Sequence, residues 1–314
     1  MAGILDRFKN LARRLTQASD PALVDVSTNS KLDQGIAQNI VATALGESLS
    51  KIGNPVSFVK FIADSLSHSP VSVKVLKGTL GIESTGQRRL ATYIDLLKRG
   101  TPMVSFDMAR DIASHVDSIL QNRRYKEFFR WAGDVGIHSV GASSDPAKGR
   151  IIAAAVRAMR PRSCLELGTC YGISSYFILS QLESLAEGGQ LHTVEFSEVQ
   201  FEISSSSLKS RFQSAVTSHN ADIEKQLDTI ARGIGPIDFV FHDANHRGDN
   251  YIKDFEVLTP HLKSGALLLL DDIDWKNPHV SQSLSTYDAW RRIVDSDRVE
   301  FAAEVMNIGI AMIK

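Results

Sequence analysis

The sequence predicts an α/β domain over residues 139–314, built on a mostly parallel seven-stranded sheet closed by an antiparallel hairpin, with an all-helical domain before it over 1–138. Three observations carry this reading. Over 36–130 the apolar residues recur at three and four, as in Ile40, Val41, Leu45, Leu49 and Ile52, which is the spacing of a helix face. Beyond Cys164, short apolar runs bounded by turn residues alternate with amphipathic segments, the pattern of parallel strands joined by helices on both faces of a sheet. At the end of the chain, 298–305 and 308–313 read as two strands joined tightly around Asn307 and Gly309.

Taken in order, the chain opens on a basic amphipathic helix, with Ile4, Leu5, Phe8, Leu11 and Leu15 at helical spacing and Arg7, Lys9, Arg13 and Arg14 elsewhere on the turn. Docking on its own domain or a partner chain and attachment to a membrane surface both suit such a helix. Asn54-Pro55, Ser69-Pro70, Gly100 and Pro102 then divide the first half into short helices, the last carrying Met108, Ile112, Val116, Ile119 and Leu120. Tyr125, Phe128, Phe129 and Trp131 suit either a helical core or the wall of a substrate pocket. After a loop at 141–144, Asp145-Pro146 offers an N-cap and a first-position proline for a helix through 151–159. Strands are predicted at 164–167, 191–194, near 216–219, at 237–241 and at 266–270.

Composition narrows the function classes. With 314 residues, 43% hydrophobic and 23% charged, the chain suits a two-domain globular protein, and a net charge of −1 gives no general attraction to nucleic acid. Two cysteines, Cys164 and Cys170, supply neither a disulfide framework nor a zinc set, which fits a reducing cytoplasm. No apolar run approaches the roughly 20 residues that span a bilayer.

The chemistry-bearing residues fall at predicted strand ends. In the segment from Glu166 through Leu167, Gly168, Thr169, Cys170, Tyr171, Gly172 and Ile173 to Ser174, a strand ends at one glycine and a helix starts after the other. Open parallel sheets bind ligands there, and glycine lets backbone approach a ligand closely. Glu195 ends the next strand, where a carboxylate grips the hydroxyls of a ribose. The spacing of a dinucleotide-binding loop fails at Cys170 and Ile173, so no pyrophosphate cradle is expected.

These residues resemble the class I S-adenosylmethionine-dependent methyltransferases, in particular the metal-dependent catechol-type and antibiotic-modifying small-molecule O-methyltransferases, over about 139–314. The resemblance implies a Rossmann-like fold. It assigns Glu166, Gly168, Thr169, Gly172 and Ser174 to the methionine part of S-adenosylmethionine, Glu195 to the ribose and Phe196 to the adenine. Asn220, after the third strand, is implied beside the adenine; a helix N-cap is the other reading of it. Asp243 is expected to face both cofactor and metal.

Asp243 follows one strand, and Asp271 and Asp272 follow the next. Carboxylates so clustered repel unless something positive lies between them, and an oxygen-only set suits a hard cation such as Mg²⁺. The resemblance likewise places the metal ligands at Asp243, Asp271 and Asp272. Three residues after the first metal-binding acid, catechol-type members carry a lysine as general base; here the position is His246, whose ordinary pKa near 6.5 suits proton transfer. Antibiotic-modifying members carry an acid where this chain has Asn245, which cannot act as a base. The expected activity is metal-assisted methyl transfer to a hydroxyl of a small molecule of the secondary-metabolite kind, with a homodimer formed through the helical half. Methylation of an RNA nucleoside, a non-catalytic cofactor-binding or assembly protein, and an NAD-dependent oxidoreductase remain as alternatives.

Overall fold

The structure, a computed structural model, describes residues 69–125, 145–275 and 284–314, with isolated helical positions between 58 and 66. The basic helix expected at 4–15 and the aromatics Phe128, Phe129 and Trp131 lie outside the described residues. The chain divides into two compact units, one of Met1–Ser67 with Val104–Ala147, the other of His68–Met103 with Lys148–Lys314. Of the first unit, the main described element is a helix, here α2, Phe106–Gln121. Ser105 caps it by accepting from the Met108 N–H, and Met108, Ala109, Ile112, Ala113 and Ile119 form its buried stripe. No helix among the described residues is long and apolar enough to cross a membrane.

The second unit carries the sheet. Its strands are β1 Lys74–Lys77, β2 Ser163–Leu167, β3 Gln190–Glu195, β4 Val216–Asn220, β5 Ile237–His242, β6 Leu262–Leu270, β7 Val299–Val305 and β8 Ile308–Ile313. The spatial order is β1-β7-β8-β6-β5-β2-β3-β4. From β6 to β4 every pairing is parallel, whereas β8 runs antiparallel to both β6 and β7. The hairpin expected at the C-terminus is therefore present, with Val305 opposite Ile308 and Met306 turning at φ +54°.

The sheet has eight described strands where seven were expected, and the stretch read as helical supplies the extra one: β1 pairs antiparallel with β7. The missed signal is the alternation of Val71, Val73 and Val75, a period of two rather than 3.6. As an edge strand it is short, carries Lys74 and Lys77 and is irregular between Val75 and Lys77, features that discourage further pairing. The helix α1, Thr85–Arg99, also belongs to this unit; a full capping box between Ser84 and Gln87 starts it and Gly100 at φ +61° ends it.

The crossover helices are α3 Pro146–Met159, α4 Ile173–Ser184, α5 Glu198–Phe212, α6 Ile223–Ile234, α7 Gly248–Leu258 and α8 Thr286–Asp295. Strands β2 and β5 and the second half of β6, 266–270, are buried almost throughout because helices shield them, which is why they read as short apolar runs. Between α8 and β8 the approach is close enough that a Cβ on Gly309 would lie 2.9 Å from the Trp290 ring. Chain order reverses at β2: β3 and β4 extend the sheet to one side, while β5 returns to the other. That reversal opens a crevice beyond the carboxyl ends of β2 and β5, where open α/β sheets hold ligands.

Candidate active site

Two loops cross at that crevice. After β2, Gly168 adopts φ +92°, and a Cβ on it would lie 2.2 Å from the carbonyl oxygen of Asp243 after β5. Only glycine fits such an approach. The crossing is tied by the Asp243 N–H donating to Leu167 O at 2.8 Å, and by the Gly168 and Thr169 N–H groups donating to Val194 O. Gly172, at φ +82°, turns the chain into α4, its own N–H donating to Thr169 O.

Glu195, at the end of β3, is 8% exposed. Its Oε2 accepts from the Cys170 N–H at 2.7 Å and its Oε1 from the Ser197 N–H at 2.7 Å, so backbone from both flanking loops fixes the carboxylate. Burial raises its pKa, and those N–H bonds hold the rise back. The neighbouring Phe196 is a large apolar ring, 73% exposed. Asn220 Nδ2 donates to the carbonyls of Glu195 and Phe196 and so braces that turn. The N-cap of α6 is Asp222, which accepts from the Glu224 N–H at 3.0 Å; Asn220 does not cap it.

Three residues expected to touch the cofactor lie beneath the loop. Thr169 and Ser174 are 2% exposed, and Glu166 is fully buried. Ser175 and Thr193 hydroxyls donate to Glu166 Oε2, and the Ser174 side chain also hydrogen-bonds the carboxyl. Burial pushes the Glu166 carboxyl up to about 7 against those hydrogen bonds. Its place is that of a buttress joining β2, β3 and α4.

At the ends of β5 and β6 two of the expected acids come together with a histidine. Among the described residues, the donor atoms within 4.8 Å of one another belong to Asp243, His246 and Asp272. His246 lies between the two acids, its Nε2 3.1 Å from Asp243 Oδ1 and its Nδ1 3.6 Å from Asp272 Oδ2. Burial lowers its pKa, but the hydrogen bond to Asp243 and the charges of Asp243, Asp272 and Asp271 outweigh that and leave it raised. Asp271 is 2% exposed and stands outside the trio. Burial and the Asp243 charge push its carboxyl up to about 7, more than Lys148 pulls it down. Among the described residues, the group that could hold a metal ion is therefore Asp243, His246 and Asp272, two of the three acids expected, joined by the histidine.

Two neighbours went unread in the sequence. Lys148, in the first turn of α3, places Nζ 2.8 Å from Asp271 Oδ2 and 2.8 Å from Asp272 Oδ1. Trp275 stands 43% exposed with its ring 5.5 Å from that of His246. The other histidine of the segment, His242, is buried in β5 with Nε2 2.9 Å from Asp254 Oδ2.

The glycine loop, the fixed Glu195 carboxylate after β3 and the histidine between two acids all lie at the carboxyl ends of the parallel strands of a Rossmann-like sheet. Residues 165–273 match a family model described as a methyltransferase domain. Over those residues the chain is similar to that family, in line with the resemblance to the S-adenosylmethionine-dependent methyltransferases. Among solved structures, an O-methyltransferase from Bacillus cereus in complex with SAH is 20% identical with a TM-score of 0.48, covering 64% of this chain and 91% of that one. An O-methyltransferase from Streptomyces achromogenes involved in tomaymycin synthesis, in complex with SAM, is 20% identical with a TM-score of 0.49, covering 64% and 89%. A SAH-bound methyltransferase from Podospora anserina is 14% identical with a TM-score of 0.49, covering 76% and 100%. No curated protein matches the chain.

Proposed function

We propose that the chain binds S-adenosylmethionine in the crevice beyond β2, β3 and β5 and transfers its methyl group to a hydroxyl of a small molecule. The observation that carries this reading is Glu195, its carboxylate held by the Cys170 and Ser197 N–H groups beside the open face of Phe196. A carboxylate with fixed orientation and spare lone pairs accepts both hydroxyls of a ribose, and an exposed ring next to it stacks on a base. The crossing of Gly168 over Asp243 brings loop backbone to where the methionine part would lie.

When bound, the cofactor supplies an electrophilic methyl on a sulfonium; the residues of the chain position the acceptor and take its proton. His246, 28% exposed at its side chain and held by Asp243, is the acceptor of the hydroxyl proton. Trp275 offers the apolar wall beside it. Most of the acceleration of such a displacement comes from alignment of oxygen and methyl.

The test is transfer of labelled methyl from S-adenosylmethionine to a panel of hydroxylated aromatics, sugars and polyketides. Label in an ether product supports the reading. Label in RNA alone, or binding of the cofactor with no transfer to any acceptor, contradicts it.

A further inference from the structure

The acidic centre contains a cation of its own. Lys148 enters from the third position of α3 and its side chain is 18% exposed, with Nζ at 2.8 Å from a carboxylate oxygen of each of Asp271 and Asp272. That is an unfavourable place for a lysine by itself: the first turn of a helix carries the positive end of its dipole and prefers acids, of which α3 has none there. Burial also works against its charge, yet the two carboxylates more than offset this and its pKa is raised. The depth of entry is set by Gly149, where a Cβ would fall 2.3 Å from the Phe177 ring, so the turn lies directly on α4.

The partners of Lys148 are equally constrained. The Asp271 N–H donates to His242 O, and the buried Tyr251 hydroxyl donates to Asp271 O at 2.8 Å. Asp272 sits at φ +50°, its N–H donating to Asp271 Oδ1 and its Oδ1 accepting from Asn307 as well as Lys148. Both acids therefore present oxygens to one ammonium from fixed backbone. A divalent ion brought to the same oxygens would meet that ammonium as a like charge.

Resting on the methyl-transfer reading above, we propose that Lys148 is the resident cation of this centre: its ammonium compensates Asp271 and Asp272 where the sequence pointed to a divalent metal, and positions Asp272 for transfer that needs no such metal. Lys148 is a positioning residue here, acting through Asp272 on His246.

Mn²⁺ titration by calorimetry and electron paramagnetic resonance into wild type and Lys148→Met, with S-adenosylhomocysteine binding measured in the same samples with and without chelator, tests this. The expected result is no stoichiometric Mn²⁺ binding to wild type, ligand affinity indifferent to chelator, and a Mn²⁺ site gained in Lys148→Met at least about tenfold tighter, a gain of charge compensation that a packing role would not produce. Adding Asp272→Asn abolishes the gain. Stoichiometric Mn²⁺ on wild type that is lost in Asp243→Asn, or no gain in folded Lys148→Met, overturns the proposal. Should Lys148→Met fail to fold, Lys148→Met with Asp271→Asn removes one charge of each sign and takes its place, and the wild-type titration decides without any variant. Absence of S-adenosylhomocysteine binding overturns the methyl-transfer reading and not the role of Lys148, so the two failures are told apart.

Discussion

Replacing Glu166 by glutamine probes the buttress beneath the cofactor loop. The carboxyl is fully buried and held by hydrogen bonds from the Ser174, Ser175 and Thr193 side chains. Burial pushes its pKa from 4.5 to about 7. Because the folded-state value lies above the unfolded one, the stability this group contributes is fully present below the unfolded value and is lost as pH rises through the folded value. The rise corresponds to about 3 kcal/mol in total, of which about 2 kcal/mol falls between roughly pH 5.5 and 8.5. Glutamine keeps the shape and never ionises. Asp271, pushed up in the same direction, contributes equally to both proteins and cancels on subtraction. Urea unfolding of the two proteins across that range is expected to show Glu166→Gln gaining about 2 kcal/mol on wild type as pH rises. A difference between them that stays constant with pH would refute the argument that Glu166 is a buried, reluctantly ionised strut.

Other substitutions act on the crevice itself. Gly168→Ala puts a Cβ 2.2 Å from the Asp243 carbonyl and a side chain at φ +92°, so it should cost about 1–3 kcal/mol in stability and, by parting the two loops, weaken S-adenosylhomocysteine by more than tenfold in calorimetry. His246→Ala should cut kcat about 10²–10⁴-fold with little change in cofactor affinity, as measured by single-turnover transfer. Since the pKa of His246 is raised and the neutral imidazole is the base, the acid limb of kcat/KM should lie above pH 6.5, with rate falling as pH drops through it; a limb below 6.5 counts against the assignment.

Much of the sheet was legible in the residues because parallel strands shielded by helices, such as 239–241 and 266–270, read as continuous apolar runs. Glycines at 168 and 172 and the acids at strand ends were legible for a related reason, since strand-to-helix turns in such folds converge on one edge. What escaped was long-range or alternated weakly. β1 is four residues long and gains its place only by pairing with β7, more than 220 residues later in the chain. Helix α4 is buried on nearly every side, so its sequence shows no polar face to set its orientation. Lys148 in a helix start carries no local mark of the two aspartates 123 and 124 residues on that it pairs with. Asp271 and Asp272 are adjacent in sequence and equal in residue type, and only the burial of one and the left-handed backbone of the other separate their roles. Asn220 was open between a place beside the adenine and a helix N-cap, and Asp222 two residues on is the cap.

The crevice as an S-adenosylmethionine site is tested most directly by calorimetric titration of the wild-type chain and Glu195→Ala with S-adenosylhomocysteine and with NAD. The account predicts one S-adenosylhomocysteine per chain, no NAD, and a loss of about ten- to a hundredfold in Glu195→Ala as the charge-assisted hydrogen bonds to the ribose are removed. Binding of NAD in place of S-adenosylhomocysteine, or affinity unchanged by Glu195→Ala, would contradict it.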